Sequence, residues 1–299
     1  MVVLGQFNKT EEINDLYKER ASLKYNRIHY SVLLVTFFLI LVAFSNGNVQ
    51  KYVQKRNDSK AENHQIHWSY EGYTGPDYWG ELDPSFSACV NGKEQSPINI
   101  VTSQLIKPEE SENMKIQYES TTFNIVNNGH TIQANAEGAK NSITLDGTIY
   151  KLHQFHFHTP SEHLFNGQSF DMELHFVHKS DSGGYAVLGW MIKEGAESTM
   201  LSNMWKNLSK TEEDTSFVTR IDLLSLLPAD KNSFHYNGSF TTPLCTEGVK
   251  WVLLEEPHEM SNEQIAAFQS IFPINQRPVQ PLNGREVLVK GIMFIHSTE

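Results

Sequence analysis

Two hydrophobic patterns divide the chain. Residues 31–44 (SVLLVTFFLILVAF) form an uncharged run that is apolar on every side, whereas the apolar residues beyond about residue 120 come in short segments. Residues 123–126, 131–134, 142–145, 152–158, 170–178, 185–192, 251–254 and 287–289 are rich in β-branched and aromatic residues, with Gly and Asn between many of them, and read as strands. Helical signals are fewer. Ser261 with Gln264 three residues later opens IAAFQSIF as a capped helix that ends before Pro273, and residues 196–208 form a second candidate. The pattern predicts a mixed α/β fold, mainly β, with a large central twisted and mostly antiparallel sheet and short peripheral helices.

The apolar run, extended back to Ile28, sits between the length of a signal-peptide core and that of a membrane span. Basic residues flank it on both sides, four before and three after, which is too even to fix an orientation. The long preamble favours an uncleaved anchor, while Ala43-Phe44-Ser45 offers the small residues of a cleavage site. Either option exports the chain beyond this run. The expected organisation is therefore a polar segment at 1–27, a signal or anchor at 28–44, a polar linker at 45–65 and one domain at 66–299, either membrane-anchored on the extracytoplasmic side or released as a secreted or periplasmic protein. A homodimer is allowed by the sequence and not specified by it.

The formal net charge is −11, and the first 65 residues carry nine Lys or Arg against six Asp or Glu, so the acidic excess belongs to the domain. A phosphate-binding surface needs the opposite sign, which excludes nucleic acid as the expected partner. Only Cys89 and Cys245 are present, too few for a thiolate metal site and enough for one bridge. In an oxidising compartment that bridge is the expectation.

The chemistry concentrates in the segment Leu152-His153-Gln154-Phe155-His156-Phe157-His158. A strand's period of two puts Leu152, Gln154, His156 and His158 on one face, with His153, Phe155 and Phe157 on the other. Farther on, Glu173, His175 and Val177 share a face against Met172, Leu174 and Phe176. Antiparallel pairing of these segments would bring a third imidazole to the first two, and three neutral imidazoles with one open position is the coordination of a catalytic zinc. Gln154 and Glu173 each precede a ligand by two residues, where each can accept from that ligand's second ring nitrogen. A His-x-His on a strand is by itself more often packing or surface. The third imidazole, with an acceptor at the same offset, tips the balance toward a metal. His153, His163 and His178 do not point with this set and read as structural or supporting residues.

A rival is the cupin barrel, because His156-x-His158-xxx-Glu162 followed by Gly167 resembles its first metal motif, with Glu162 as a ligand. The second cupin motif is missing. No P-loop, dinucleotide-binding glycine turn or nucleophile elbow occurs.

From about Ile66 to the C-terminus the sequence resembles the α-class carbonic anhydrases. The resemblance runs in family order through HWSYEG (67–72), QSPINI (95–100), NNGH (127–130), QFHFH (154–158), SEH (161–163), ELHFVH (173–178), AVLGW (186–190), FTTPLC (240–245) and RPVQPLNGR (277–285). It implies reversible hydration of carbon dioxide to bicarbonate by zinc-bound hydroxide, with His156, His158 and His175 as ligands. Gln154, Glu173, the Asn275 backbone and Tyr70 would support them. Thr241 would hold the hydroxide while donating its own proton to Glu162. Thr242, Val177, Val187, Phe240, Val249 and Trp251 would line the place where carbon dioxide rests. His130 matches the proton shuttle, and Cys89 with Cys245 matches a bridge of secreted members. Phe240 replaces the usual Leu and Pro243 stands where a Pro pair is commoner, both of which bear on pocket width. The family also contains non-catalytic binding domains, usually lacking a ligand His; here all three remain.

Overall fold

The computed structural model describes residues 66–109, 114–138, 140–212, 216–228 and 232–295. The readings of residues 1–27, 28–44 and 45–65 lie outside them. No helix among the described residues is long and apolar enough to cross a membrane.

Fourteen strands are formed among the described residues. In the first half of the chain these are β1 (Asn99–Ile100), β2 (Met114–Gln117), β3 (Ser120–Asn127), β4 (Ile132–Ala136), β5 (Ser142–Leu145), β6 (Thr148–His158), β7 (Leu164–Phe165) and β8 (Met172–Ser180). The second half adds β9 (Tyr185–Glu194), β10 (Phe217–Asp222), β11 (Asn232–Ser239), β12 (Glu247–Leu254), β13 (His258–Met260) and β14 (Leu288–Phe294). All but β1 and β7 belong to one 12-stranded sheet. Most of its pairings are antiparallel; β9 runs parallel to β12 and β13, and β14 parallel to β2. Pairings followed from β6 through β8, β9, β12, β11, β14, β2 and β5 lead back to β6, so this part of the sheet curls strongly on itself. The helices are short and lie outside the sheet: α1 (Trp79–Leu82), α2 (Ala88–Asn91), α3 (Ser202–Lys206) and α4 (Asn262–Gln269).

Both faces of the central strands are covered, which is why β8 reads as buried at almost every position. One face carries Phe123, Phe155, Phe157, Leu174, Phe176 and Trp190, joined by Ile265 and Phe268 from α4. Helix α4 starts where the sequence predicts it, with the Ser261 side chain accepting from Gln264 N–H and the Gln264 side chain accepting from Ser261 N–H. The other face carries Val177, Val187, Val249, Trp251 and Leu253. Burying one such side chain contributes about 1.5–3 kcal/mol.

Three expectations change. Residues 196–208 do not make one helix: a 3₁₀ turn at Thr199–Leu201 leads into the five-residue α3. Strands β1, β2, β7, β10, β11 and β13 have no counterpart among the predicted segments, because they are short or their alternation is interrupted by polar residues. The face assignment of Leu152 is reversed. A bulge at His153 puts Leu152 opposite His178 and Gln154 opposite Val177. One unpaired residue shifts the parity, so Leu152 joins Phe155 in the apolar core while His153 is exposed.

Candidate active site

Strands β6 and β8 pair with His156 directly opposite His175 and His158 opposite Glu173. The phenylalanines between the histidines face the larger core, so the imidazoles rest on a rigid backing. One nitrogen from each of His156, His158 and His175 lies within 4.8 Å of the others. Each ring has its other nitrogen engaged. His156 Nδ1 donates to Gln154 Oε1 at 2.8 Å, His158 Nδ1 to the Asn275 carbonyl at 2.7 Å and His175 Nε2 to Glu173 Oε1 at 2.7 Å. The nitrogens left over are two Nε2 and one Nδ1.

Burial and mutual proximity hold the three rings neutral. His158 is pushed down to about 3 by burial first and His175 second. His156 is lowered well below its usual value by burial and by the other two imidazoles. Burial also lowers His175, against the neighbouring Glu173 carboxylate. Neutral imidazoles present lone pairs, the form a metal needs. His158 Nε2 is buried with no hydrogen-bond partner. An orphaned polar atom in a buried site is costly, and a metal ion at the three nitrogens would satisfy it.

His163, which the sequence reads as a structural or supporting residue, stands behind Glu173. Its Nδ1 donates to Glu173 Oε1 at 2.7 Å, and the backbone N–H groups of Glu162 and His163 both donate to Glu173 Oε2 at 2.8 Å. Glu173 thus accepts from four donors. Burial works against its charge, but His163 and His175 hold its pKa well below the usual carboxylate range. Behind it, Tyr236 OH lies 2.6 Å from His163 Nε2 and 2.8 Å from Ser96 Oγ. The quoted motifs SEH and QSPINI contain His163 and Ser96, and that was the available signal; their contacts with Glu173 and Tyr236 depend on chain crossings invisible in local sequence.

Glu162 is buried and accepts from the Arg277 backbone N–H at 2.8 Å. Burial and Glu173 raise its pKa well above normal, opposed by the Thr241 hydroxyl and by Arg277. Glu162 Oε2 has no well-aligned donor. The Arg277 guanidinium donates to Gln95 Oε1 and to the carbonyls of Ser96 and Cys89. Gln95 Nε2 in turn donates to the Cys245 carbonyl at 3.1 Å. Cys89 and Cys245 form a disulfide that joins α2 to the loop bearing Thr241 and Thr242, and the Thr242 carbonyl accepts from Cys245 N–H.

Val177, Val187, Val249 and Trp251 are buried in one cluster, with Phe240 packed on it and edge-on to Tyr185 at 5.0 Å. The Trp251 ring centroid is 4.9 Å from that of His175, so this apolar wall adjoins the histidines. His130 follows a turn in which Asn127 Oδ1 accepts from Gly129 N–H and Asn128 Oδ1 from the N–H groups of His130 and Thr131. Gly129 has φ 82°, where a side chain would be strained. The half-buried His130 ring stacks on Trp68 at 3.7 Å, with Tyr70 edge-on at 6.5 Å. Asn275 ties this turn to the histidines, its Nδ2 donating to the carbonyls of His130 and Phe157. Tyr70 therefore packs beside His130 and Trp79, with Glu162 close enough to add to the burial that raises its pKa.

A large twisted sheet that carries three convergent neutral imidazoles on one face, next to an apolar wall, defines an enzyme site of the histidine-cluster kind. Residues 74–291 match the family model of eukaryotic-type carbonic anhydrase. The chain is 44% identical over 225 residues to a carbonic anhydrase of Klebsiella pneumoniae, covering 74% of this chain and 90% of that one. It is 40% identical to one of Pectobacterium carotovorum over 75% of this chain and 91% of that one. Among solved structures, the α-carbonic anhydrase of Thermovibrio ammonificans in complex with sulfanilamide matches with a TM-score of 0.72 at 41% identity, covering 75% of this chain and 99% of that one. The chain belongs to the eukaryotic-type carbonic anhydrase family and is an enzyme of that class.

Proposed function

We propose that the domain hydrates carbon dioxide reversibly at a zinc site held by His156 Nε2, His158 Nε2 and His175 Nδ1. The observation that carries this reading is the set of three ring nitrogens within 4.8 Å, with His158 Nε2 buried and unpartnered. The second ring nitrogens are all donors to fixed acceptors, which sets the tautomers and aims the lone pairs at one point. When bound, zinc supplies a Lewis acid that lowers the pKa of water to about 7, the established behaviour of carbonic anhydrases.

The protein groups then orient and exclude. A cation beside Glu162 favours its carboxylate form, which can only accept hydrogen bonds. Thr241 must donate its proton to that carboxylate, which leaves its oxygen to accept from the attacking group and so turn that group's own lone pair toward carbon dioxide. Val177, Val187, Phe240, Val249 and Trp251 offer an uncharged substrate an apolar wall, with Thr242 beside Thr241 at its rim. His130 takes the proton released in each turnover and passes it to solvent, a task suited to an imidazole near neutral pH. The Cys89–Cys245 bridge supports an exported domain, with residues 28–44 delivering it as an anchor or a cleaved signal.

Stopped-flow hydration by the full chain, with metal analysis before and after chelation, tests the assignment. One tightly held zinc and chelator-sensitive turnover are expected. Iron or manganese in its place, or turnover that survives removal of zinc, would overturn it.

A further inference from the structure

The face of the sheet opposite the histidines carries a second feature. Tyr236 and Trp251 pack on the histidine side, so their strand neighbours His235, Asn237 and Lys250 face the other way. Strand β14 sets Leu288 beside His235 and Lys290 beside Ser233. A cavity of about 550 Å³ opens there, with His235, Lys250, Lys290, Arg285 and Asp146 in its walls. That volume lies within the range of small-molecule sites.

His235 is the informative residue. It is only 9% exposed, and its Nε2 lies 2.8 Å from Ser233 Oγ. Assigning the single Ser233 Oγ proton to the Lys290 carbonyl, 3.2 Å away, makes Ser233 the acceptor from His235. The ring proton of His235 therefore sits on Nε2, and Nδ1 is an acceptor with no protein partner among the described residues. Burial first and Lys290 second push the ring down to about 3, against Asp146, so this acceptor persists at neutral pH.

The cations nearby are incompletely used. Lys250 Nζ donates to Asn237 Oδ1 at 2.9 Å and Lys290 Nζ to Asp146 Oδ1 at 3.0 Å, one direction of three for each ammonium. Asp146 is held at the rim by the two-residue Asp146–Gly147 turn between β5 and β6, with φ of 46° and 78°. Arg285 spends its donors on the carbonyls of Leu282, Asn237, Gln95 and Pro281, and so shapes the wall. Glu94 and Glu286 also line the cavity, and with Asp146 they offset part of the positive charge. Charge alone would thus select weakly. A neutral acceptor lining the same cavity as two ammoniums selects an anion that still carries a hydroxyl proton.

We propose that this cavity binds a phosphate-type oxyanion bearing a P–OH group, with Lys250 and Lys290 taking its charge and His235 Nδ1 accepting from its hydroxyl. The same chemistry is offered by free phosphate and by the mono-anion of a small phosphate ester. Sulfate matches phosphate in size and shape but has no proton at neutral pH, so it opposes a lone pair to a lone pair.

The test is calorimetric titration of the full chain with inorganic phosphate, sulfate and glycerol 3-phosphate, together with ¹⁵N observation of the His235 ring. Phosphate should bind roughly tenfold or more tightly than sulfate, the scale of one hydrogen bond to a buried acceptor, and should shift the Nδ1 resonance of His235. His235→Phe should erase the preference, and Lys250→Gln with Lys290→Gln should weaken both anions. Tighter binding of the ester than of phosphate would assign the site to an esterified ligand, and the reverse order to the free ion. Equal binding of phosphate and sulfate by the unmodified chain, or an Nδ1 resonance unmoved at saturation, overturns the proposal whatever the variants do. The cavity shares Tyr236 and Trp251 with the histidine side but no ligand histidine, so the Nδ1 resonance of His235 reports on this proposal separately from the zinc reading.

Discussion

Glu173→Gln is the sharpest perturbation of the metal reading because it changes one atom and keeps the shape. In the native protein both carboxylate oxygens are filled: Oε1 accepts from His175 and His163, and Oε2 from the backbone N–H groups of Glu162 and His163. A glutamine oxygen can satisfy only one of these pairs, and its NH₂ group then faces the other pair, donor against donor. Two buried donors lose their acceptor at about 1–3 kcal/mol each, so the domain should lose roughly 2–6 kcal/mol of stability. Zinc affinity should fall by roughly 10- to 100-fold, the usual effect of removing a carboxylate behind a metal-bound imidazole. Guanidinium unfolding and a chelator-competition assay read the two effects separately. If zinc affinity stays within twofold of wild type while stability falls, Glu173 is a packing residue and does not aim His175.

Replacing Thr241 with Ala should leave zinc bound while lowering turnover substantially, measured as hydration rate per zinc; equal loss of metal in Thr241→Ala and His175→Ala would contradict their separate roles. Reducing the Cys89–Cys245 bridge, which closes a separation of 156 residues, should destabilise the domain by roughly 5 kcal/mol at most, and a thiol assay finding both cysteines free in exported protein would refute the bridge. Replacing His130 with Ala should lower kcat in dilute buffer by on the order of 100-fold, leave kcat/KM nearly unchanged, and be rescued by free imidazole. His130 is lowered from 6.5 by burial, with Glu212 opposing and His67 adding. Its proton-accepting form should therefore appear below pH 6.5, so the His130-dependent part of kcat should rise through a midpoint under that value. A midpoint above 6.5 would remove His130 from the proton path.

The site was legible where strand alternation is local. His156, His158 and His175, with Gln154 and Glu173 at matching offsets, could be read from two short segments because side chains two apart share a face. Leu152 was misread for the same reason: alternation assumes no bulge, and nothing in LHQFHFH announces that His153 is the unpaired residue. Strand β10 escaped because its partner β3 is distant in sequence, so pairing rather than propensity makes it a strand, whereas β11 pairs with the nearby β12 but has its pattern broken by His235, Asn237 and Gly238.

The asymmetry of the nitrogens proposed as ligands follows from where each acceptor comes from. Gln154 lies two residues before His156 on β6 and takes Nδ1, while Asn275 reaches His158 Nδ1 from a segment 117 residues away. Glu173 also lies two residues before its histidine, yet it takes Nε2 of His175. The difference is that Glu173 is pinned by His163 and by two backbone N–H groups from the 162–163 turn, so its carboxylate cannot follow the ring as a freer Gln154 can. His175 must rotate to meet a fixed oxygen, and that rotation leaves Nδ1 toward the other two imidazoles. Equal spacing in the sequence thus yields unequal tautomers in the fold, and the residue that decides between them, His163, touches none of the three nitrogens offered to the metal.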